Sequence, residues 1–269
     1  MRRSANMISW KYGSWAIVAG AAEGIGEGFC KELSGRGINI VMVDNNEMAL
    51  QALSLILEEK YQIKTISLLM DLEDPSAYIE IIKVIKDIDC RLLVYNAAFS
   101  KIQNFLDYSK EDLNRFIDVN IRTQSLLIHE FALHLKDKDG GGIITMSSLA
   151  GWFGTSLISP YSASKAYITT LSEALSIEFR KHQIDIMACI AGATDTPAFR
   201  RSKPEAISIP FMNADKVAQQ AISKLGKKTL FIPGWKNRMS YFILRRLLPR
   251  SIAVGLVNRA VKRMYKTSV

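Results

Sequence analysis

Composition and charge place the chain among ordinary globular proteins. Of its 269 residues, 48% are hydrophobic and 23% are charged, which excludes an intrinsically disordered or collagen-like protein. The formal net charge of +9 comes from residues 236–269, which hold nine Lys and Arg residues and no Asp or Glu. Because the 26 other basic residues balance the 26 acidic ones, residues 1–235 are formally neutral, and no nucleic-acid partner is expected.

Cysteine and histidine usage predicts neither disulfides nor a metal site. His129 and His134 are five residues apart, so on a helix they diverge, whereas zinc ligands at i and i+4 converge. Lys11 interrupts the first apolar stretch before it resembles a signal peptide. We therefore expect a cytoplasmic protein whose three scattered cysteines stay reduced: Cys30, Cys90 and Cys189.

Apolar, β-rich runs alternate along the chain with longer stretches of helical spacing. This alternation predicts an α/β fold in which helices wrap a doubly wound parallel sheet. No linker or repeat interrupts residues 1–235, so we expect one domain there and a separate C-terminal extension, 236–269. The predicted strands are Trp15 to Ala19, Ile38 to Val43, Thr65 to Met70, Leu92 to Tyr95, Gly142 to Met146, Ile184 to Ile190 and Thr229 to Ile232.

The first predicted strand leads into a glycine-rich turn, GAAEGIG, which contains Gly20, Gly24 and Gly26. Glycine lets the main-chain N–H groups of a helix N-terminus approach a pyrophosphate closely. A glycine cluster alone is a weak signal, because turns also use glycine for conformational reasons. The second predicted strand strengthens it, since Asp44 follows that strand eighteen residues after Gly26. This arrangement predicts a dinucleotide site.

Asp44 favours NAD over NADP. A carboxylate at this position can accept hydrogen bonds from both ribose hydroxyls of an adenosine. A 2′-phosphate would place negative charge against Asp44 and towards Glu23, and no Arg or Lys immediately follows Asp44 to offset it. The alternative interpretation is that Asp44 only caps the next helix.

Three polar residues form a candidate catalytic group. Tyr161 and Lys165 are four residues apart, so on a helix both side chains leave the same face. An adjacent ammonium stabilises a phenolate and would bring the pKa of Tyr161 closer to neutral pH. Ser148, thirteen residues before Tyr161, follows a predicted strand, where its hydroxyl could hold a substrate oxygen.

Together these features resemble the short-chain dehydrogenase/reductase family over residues 14–235. The three glycines match the family's glycine motif, and Ser148, Tyr161 and Lys165 match its catalytic residues at the customary spacings. The resemblance implies a Rossmann-like domain. It also implies that Asp71 and Leu72 lie at the adenine, that Asn96 belongs to the family's Asn-Asn-Ala-Gly motif, and that Asn120 and Thr196 have the roles given next.

The resemblance assigns a role to each side chain of the site. Tyr161 would transfer the proton, Lys165 would lower its pKa and bind the nicotinamide ribose, and Ser148 would hold the substrate oxygen. Asn120 would anchor a water that links Lys165 to solvent, and Thr196 would hydrogen-bond the carboxamide. The implied coenzyme-binding residues are Gly20, Gly24, Ile25, Gly26, Asp44, Asp71, Leu72, Asn96, Tyr161, Lys165 and Thr196.

Departures from the family pattern leave these catalytic groups in place. They are Ala19 for Thr, Tyr95 and Ala98 for the outer Asn and Gly of the Asn-Asn-Ala-Gly motif, and Ala191 for Pro.

The implied reaction is hydride transfer between NAD and a carbonyl or secondary alcohol of a hydrophobic small molecule. One alternative is an NADP-dependent reductase of fatty acyl or steroid-like ketones. Another is a catalytically idle protein that senses a nucleotide or acts as a membrane scaffold. Because members of the family are usually oligomeric, we expect a homo-oligomer, either a dimer or a tetramer.

The substrate side is predicted from apolar residues around the candidate catalytic group. Trp152 and Phe153 follow Ser148 and could form one wall, which favours a lipophilic substrate. In the alternative, these side chains only pack the segment or a subunit contact. The opposite side resembles the family's mobile lid, residues 192–213, with Pro197, Phe199, Pro204, Ile207, Ile209, Pro210, Phe211 and Met212.

The C-terminal extension predicts an amphipathic helix. From Ala253, apolar residues recur at the spacing of one helix face, and the basic residues lie largely elsewhere. Such a helix could lie on an anionic membrane, or it could pack on the protein's own body or on a second subunit. The apolar face consists of Ala253, Leu256, Val257, Ala260, Val261 and Met264.

Overall fold

The computed structural model describes residues 11–202 and 211–265. Its main sheet has seven parallel strands in the order β3-β2-β1-β4-β5-β6-β9. These are β1 (Trp15–Ala19), β2 (Asn39–Asp44), β3 (Thr65–Leu69), β4 (Cys90–Tyr95), β5 (Gly141–Ser148), β6 (Ile184–Ala191) and β9 (Leu230–Phe231). The short strands β7 (Thr194–Asp195) and β8 (Met212–Asn213) pair with each other. The predicted doubly wound parallel sheet is confirmed.

Helices connect the strands and cover both faces of the sheet. In chain order they are α1 (Gly24–Ser34), α2 (Glu47–Tyr61), α3 (Ala77–Ile85), α4 (Lys110–Ile117), α5 (Thr123–Leu135), α6 (Ser159–Glu178), α7 (Pro197–Arg201), α8 (Ala214–Lys224), α9 (Trp235–Phe242) and α10 (Arg250–Tyr265). Single π-turns follow α4 and α9, at Asp118–Arg122 and Ile243–Leu247, and a 3-10 turn, Leu149–Trp152, follows β5.

Side-chain caps define where several of these helices begin. Asn46 accepts a hydrogen bond from the N–H of Ala49 at the start of α2, and Ser109 does the same for Asp112 in α4. Such caps satisfy N–H groups that the first helical turn leaves without a partner. They position the helices that pack against the sheet.

The core consists of one apolar layer on each face of the sheet. Phe29 of α1 and Val217 of α8 lie in one layer, and Phe131 of α5 and Ile168 of α6 lie in the other. Val, Ile and Leu predominate in the central strands, which are buried on both faces, as expected for a parallel sheet. The three cysteines are buried and unbridged, and burial raises their thiol pKa values.

The strand order places the candidate site at the carboxyl ends of the central strands. β1 and β4 are neighbours, but their connections run to opposite sides, so a crevice opens between their carboxyl ends. The glycine turn follows β1, Asn96 follows β4 and Ser148 ends β5. The residues predicted to bind the coenzyme and those predicted to be catalytic therefore lie at the same end of the sheet.

The C-terminal extension packs on the body of the protein. Asn258 of α10 accepts a hydrogen bond from the N–H of Ser156 (2.6 Å) and donates one to the carbonyl of Gly154 (2.9 Å). Of the apolar face predicted on α10, Ala253 and Met264 are buried, whereas Leu256 is exposed. The contacts correspond to the predicted alternative in which this helix packs on the body, and lipid contact through this face stays a prediction.

Candidate active site

The glycine turn is held between the ends of β2 and β4. The N–H of Gly20 donates to the carbonyl of Val43 (2.8 Å), and the Asn96 side chain donates to the carbonyl of Gly20 (2.8 Å). Gly20 has a φ of 76° and Gly24 a φ of 62°, in the left-handed region that glycine tolerates best. The backbone conformation therefore favours glycine at both of these positions.

Close packing also requires glycine at this turn. A Cβ added to Gly26 would lie 1.8 Å from the carbonyl oxygen of Gly20, and one added to Gly24 would lie 2.9 Å from Cγ2 of Thr196. Glu23, which precedes α1, makes no side-chain cap to that helix. The first turn of α1 can thus present its N–H groups to a phosphate, as a dinucleotide site requires. The tight glycine turn and the N–H groups of α1 therefore suit the predicted binding of a coenzyme phosphate.

Asp44 faces the glycine turn from the end of β2. Its carboxylate accepts hydrogen bonds from the N–H groups of Ala22 (2.9 Å) and Asn46 (3.1 Å). Arg201 at the end of α7 forms an ion pair with Glu23, with one guanidinium N–H donating at 2.9 Å. This pair could not be predicted from the sequence, because the two residues are far apart in the chain. Arg201 offsets the charge of Glu23, whereas Asp44 accepts from main-chain N–H groups.

The other predicted coenzyme residues surround the same edge. Asp71 is exposed and lies 3.5 Å from the guanidinium of Arg115, while the side chain of Leu72 is buried in the core. Ile25 packs partly against the core from the start of α1. Thr196 caps α7 by accepting from the N–H of Phe199, and its methyl group lies beside Gly24. Thr196 is therefore close to the glycine turn, and its predicted hydrogen bond to the carboxamide stays a prediction.

Ser148, Tyr161 and Lys165 come together between β5 and α6. Ser148 lies close enough to Tyr161 to favour its phenolate by hydrogen bonding. The Lys165 ammonium lies over the Tyr161 ring, 5.4 Å from its centroid, and donates to the carbonyl of Met146 (2.8 Å). A phenol, a hydroxyl and a buried ammonium thus occupy one site, where a proton can be moved to or from a substrate oxygen.

Burial controls the protonation of both titratable groups. It raises the pKa of Tyr161 above its usual value, although the hydrogen bond with Ser148 opposes the rise. The direction is opposite to the one expected from the sequence, because desolvation of the phenolate outweighs the stabilisation it receives. Burial likewise lowers the pKa of Lys165 to about 8, since the ammonium is the charged form.

Asn120 lies in the π-turn after α4 and links the chain after β4 to α6. Its side chain accepts from the N–H of Phe99 (2.7 Å) and donates to the carbonyl of Phe99 (2.9 Å) and to Ser164 (3.2 Å). Both amide hydrogens are therefore engaged with protein. The predicted role of holding a water could be met only by its side-chain oxygen or its main chain, and it stays a prediction.

Tyr95 explains one departure from the family pattern. Its buried hydroxyl donates to the carbonyl of Val119 (2.7 Å), inside the same π-turn. A π-turn disrupts the regular α-helical hydrogen bonding, so its carbonyls need other partners. Tyr95 supplies one of them from β4, which positions Asn120.

Hydroxyl pairs fix the register between β5 and α6. Thr145 pairs with Ser172 (2.9 Å), and Ser147 pairs with Thr169 (2.6 Å) and also donates to the carbonyl of Lys165 (2.8 Å). All four hydroxyl residues are buried. These residues were missed in the sequence, although alternating Thr and Ser in a buried strand is a signal that could have identified them.

The predicted substrate walls differ in how they are covered. Phe153 is buried, whereas the Trp152 ring is half-buried beneath the guanidinium of Arg245, 3.9 Å from the ring centroid, and the ring of Tyr241. The sequence did not indicate this cover by the extension. On the lid side, Phe199 and Phe211 are in ring contact. Four other predicted lid residues lie outside the described part of the chain: Pro204, Ile207, Ile209 and Pro210.

Comparison with known proteins identifies relatives that match most of the chain. A 7beta-hydroxysteroid dehydrogenase of Clostridium sardiniense is 34% identical over 233 residues, which cover 85% of this chain and 88% of the relative. The inactive hydroxysteroid dehydrogenase-like protein 1 of Homo sapiens is 29% identical over 260 residues, which cover 94% and 78%. A solved structure from work on 7beta-hydroxysteroid dehydrogenase stereoselectivity matches with a TM-score of 0.87 and 25% identity, over 93% of this chain and 98% of that one.

The family model for short chain dehydrogenases matches residues 14–206, which include the glycine turn and the group formed by Ser148, Tyr161 and Lys165. This match agrees with the resemblance found in the sequence. The chain belongs to the short-chain dehydrogenase family of oxidoreductases.

Proposed function

We propose that the protein is an NAD-dependent dehydrogenase that interconverts a secondary alcohol and a ketone on a hydrophobic, steroid-like molecule. The observation that carries the proposal is the placement of Tyr161 next to Ser148 and to the buried ammonium of Lys165. The names of the hydroxysteroid dehydrogenase relatives support a steroid-like substrate. The apolar pair Phe199 and Phe211 on the lid side is consistent with it.

The residues divide the proton chemistry between them. In the oxidative direction Tyr161 accepts the proton of the substrate hydroxyl while the carbon-bound hydrogen leaves as hydride. Ser148 holds the substrate oxygen by a hydrogen bond, which stabilises charge as it develops there. Lys165 places a positive charge next to the phenol and favours the phenolate that the step requires. In the reductive direction Tyr161 returns the proton to the substrate oxygen.

The coenzyme supplies the hydride acceptor and donor when it is bound. The N-terminal turn of α1 would hold its phosphates, and Asp44 would accept from the adenosine ribose. Thr196, beside Gly24, would form a hydrogen bond with the carboxamide of the coenzyme. NADP is the alternative coenzyme, and the lack of a basic residue directly after Asp44 argues against it.

Replacement of Tyr161 by Phe tests the proposed mechanism. The variant keeps the ring but removes the proton carrier, so we expect turnover to fall by about 10²- to 10⁴-fold. Coenzyme binding should be retained. The measurements are NADH formation with a panel of hydroxysteroids and other lipophilic alcohols, and NADH binding by fluorescence titration.

Tyr167→Phe is the matched control, because Tyr167 lies on the same helix but is partly exposed and pairs with Ser125. Turnover near the wild-type rate in Tyr161→Phe would contradict the mechanism. Coenzyme binding without turnover of any alcohol or ketone by the wild type would instead favour the idle, nucleotide-sensing alternative.

We further propose that the protein forms a homo-oligomer, as is common in its family. Multi-angle light scattering should give a mass of two or four chains, and the mass of one chain would contradict the proposal.

A further inference from the structure

The segment formed by α9 and the following π-turn, residues 235–247, has two opposed faces. One face packs on the body: the side chain of Asn237 is buried and donates to the carbonyl of Pro233 (3.0 Å). On the same face, the ring of Tyr241 lies 5.1 Å from that of Trp152, and the Arg245 guanidinium stacks on Trp152. These contacts, spaced four residues apart, determine which face turns outwards.

The outward face carries a row of large apolar side chains. Trp235 is 61% exposed, Phe242 55% and Leu247 62%. Met239 and Ile243 are exposed between them, at helical spacing. A π-turn has more residues per turn than an α-helix, so Leu247, five residues after Phe242, returns to the same side. We call these five residues the outer stripe: Trp235, Met239, Phe242, Ile243 and Leu247.

Isolated exposed apolar residues are common on protein surfaces, but a continuous row of this kind is not. The outer stripe includes Trp, which is enriched where apolar and aqueous phases meet, together with Phe and Leu, which form the apolar face of interfacial helices. Such a row on an exposed helix indicates a docking surface.

The charge around the outer stripe identifies the partner. Lys236, Arg238 and Arg246 are exposed and alternate with the stripe residues along the same segment. The whole extension, residues 236–269, contains no acidic residue. A second copy of the chain that docked through the same face would bring its own basic residues against these, which electrostatic repulsion opposes. An anionic lipid surface satisfies both the apolar row and the charge.

We propose that the outer stripe docks the protein on an anionic membrane surface, with α9 lying in the plane of the headgroups. None of the helices in residues 11–202 and 211–265 has the length and apolar character needed to cross a bilayer. The docking helix is α9, which differs from the face of α10 that the sequence alone suggested. The proposal does not depend on the substrate or on catalytic activity.

Co-sedimentation of the full chain with lipid vesicles tests the proposal. We expect the wild type to bind vesicles of phosphatidylcholine mixed with phosphatidylglycerol, and to bind pure phosphatidylcholine much more weakly. Leu247→Glu should weaken partitioning onto the anionic vesicles by at least about tenfold, since it removes an apolar contact and adds a repelled charge. Arg246→Glu should also weaken binding, and added salt should reduce it for the wild type.

Leu55→Glu is the matched control. Leu55 is 69% exposed on α2, which packs beside β3 at the opposite edge of the sheet from β9. This variant should bind vesicles like the wild type. Thermal unfolding of each variant shows whether the fold is intact.

Three results would overturn the proposal. The first is a wild type that stays in the supernatant with anionic vesicles. The second is a folded Leu247→Glu variant that binds as tightly as the wild type. The third is a Leu247→Glu variant whose only change is a smaller assembly by light scattering, which would identify the outer stripe as a subunit contact.

Discussion

Lys165 is a buried amine whose charge costs stability while serving the proposed chemistry. Its ammonium donates a hydrogen bond to the carbonyl of Met146 (2.8 Å), and burial lowers its pKa to about 8. In the unfolded chain the same amine titrates near 10.5. The folded state therefore binds the proton less tightly than the unfolded state, and the charged form of Lys165 opposes folding.

The stability of the protein should consequently rise with pH in a defined window. Between pH 8 and about 10.5 the unfolded chain binds more protons at this position than the folded one, so the free energy of unfolding increases with pH. Relative to Lys165→Met, which cannot titrate, the wild type should gain up to about 3 kcal/mol over this window. Urea unfolding of both proteins at intervals from pH 7 to 10.5 measures the difference, and parallel curves would contradict the assignment.

The negative charge of Asp44 is expected to determine the coenzyme preference. Replacing it by Arg removes the negative charge that disfavours a 2′-phosphate and supplies a positive one. We expect Asp44→Arg to reverse the coenzyme preference from NAD to NADP. The ratio of kcat/KM for the two coenzymes, measured for both proteins, tests this. Asp44→Asn is the control, since it removes the negative charge but keeps a side-chain oxygen that can accept from the main-chain N–H of Asn46.

Among the elements, α10 secures the loop that follows the candidate active site. Asn258 forms two hydrogen bonds with residues 154 and 156, and a third to the carbonyl of Val254 within the helix. The loop begins just after Trp152, so the position of α10 affects the substrate wall rather than the coenzyme crevice.

Asn258→Ala should therefore separate substrate binding from coenzyme binding. Loss of the two hydrogen bonds to the loop is expected to cost about 1–3 kcal/mol locally. We expect faster hydrogen exchange in residues 250–265 and a higher KM for the substrate, with the coenzyme Kd unchanged. A variant with normal exchange and normal KM would show that α10 does not hold the wall.

The elements also show where sequence reasoning succeeds and where it stops. The seven predicted strands are confirmed because buried parallel strands are continuous apolar runs that are easy to recognise. Spacing likewise predicted that Tyr161 and Lys165 share a helix face. The π-turns at Asp118–Arg122 and Ile243–Leu247 could not be predicted, because they depend on tertiary contacts such as that of Tyr95 with Val119. The Glu23–Arg201 pair is equally non-local.

At the scale of the whole molecule, the C-terminal extension is joined to the body along one side. Gly192 has no room for a side chain because Asn237 packs against it, and Tyr265 at the end of α10 contacts Ser202 beside the lid. The boundary at residue 235, predicted from the change in charge, stays a prediction. The extension is basic, but these contacts attach it to the body through uncharged side chains.

Deletion of residues 236–269 should therefore destabilise the protein as well as alter its surface. Burial of Met264 and Ala253 alone contributes about 2–3 kcal/mol, which corresponds to a fall in Tm of roughly 5–10 °C for a chain of this size. Differential scanning calorimetry of the truncated and full chains measures the change. An unchanged Tm would indicate that the extension is a separate tail.

The ion pair between Glu23 and Arg201 connects the glycine turn to α7, and α7 also carries Thr196 beside Gly24. One short helix thus borders both the coenzyme crevice and the substrate side. We expect α7 to move before the dinucleotide departs, and we therefore expect compulsory-order kinetics, with the coenzyme entering first and leaving last. The exposed ion pair adds an ionic-strength dependence to that final dissociation step.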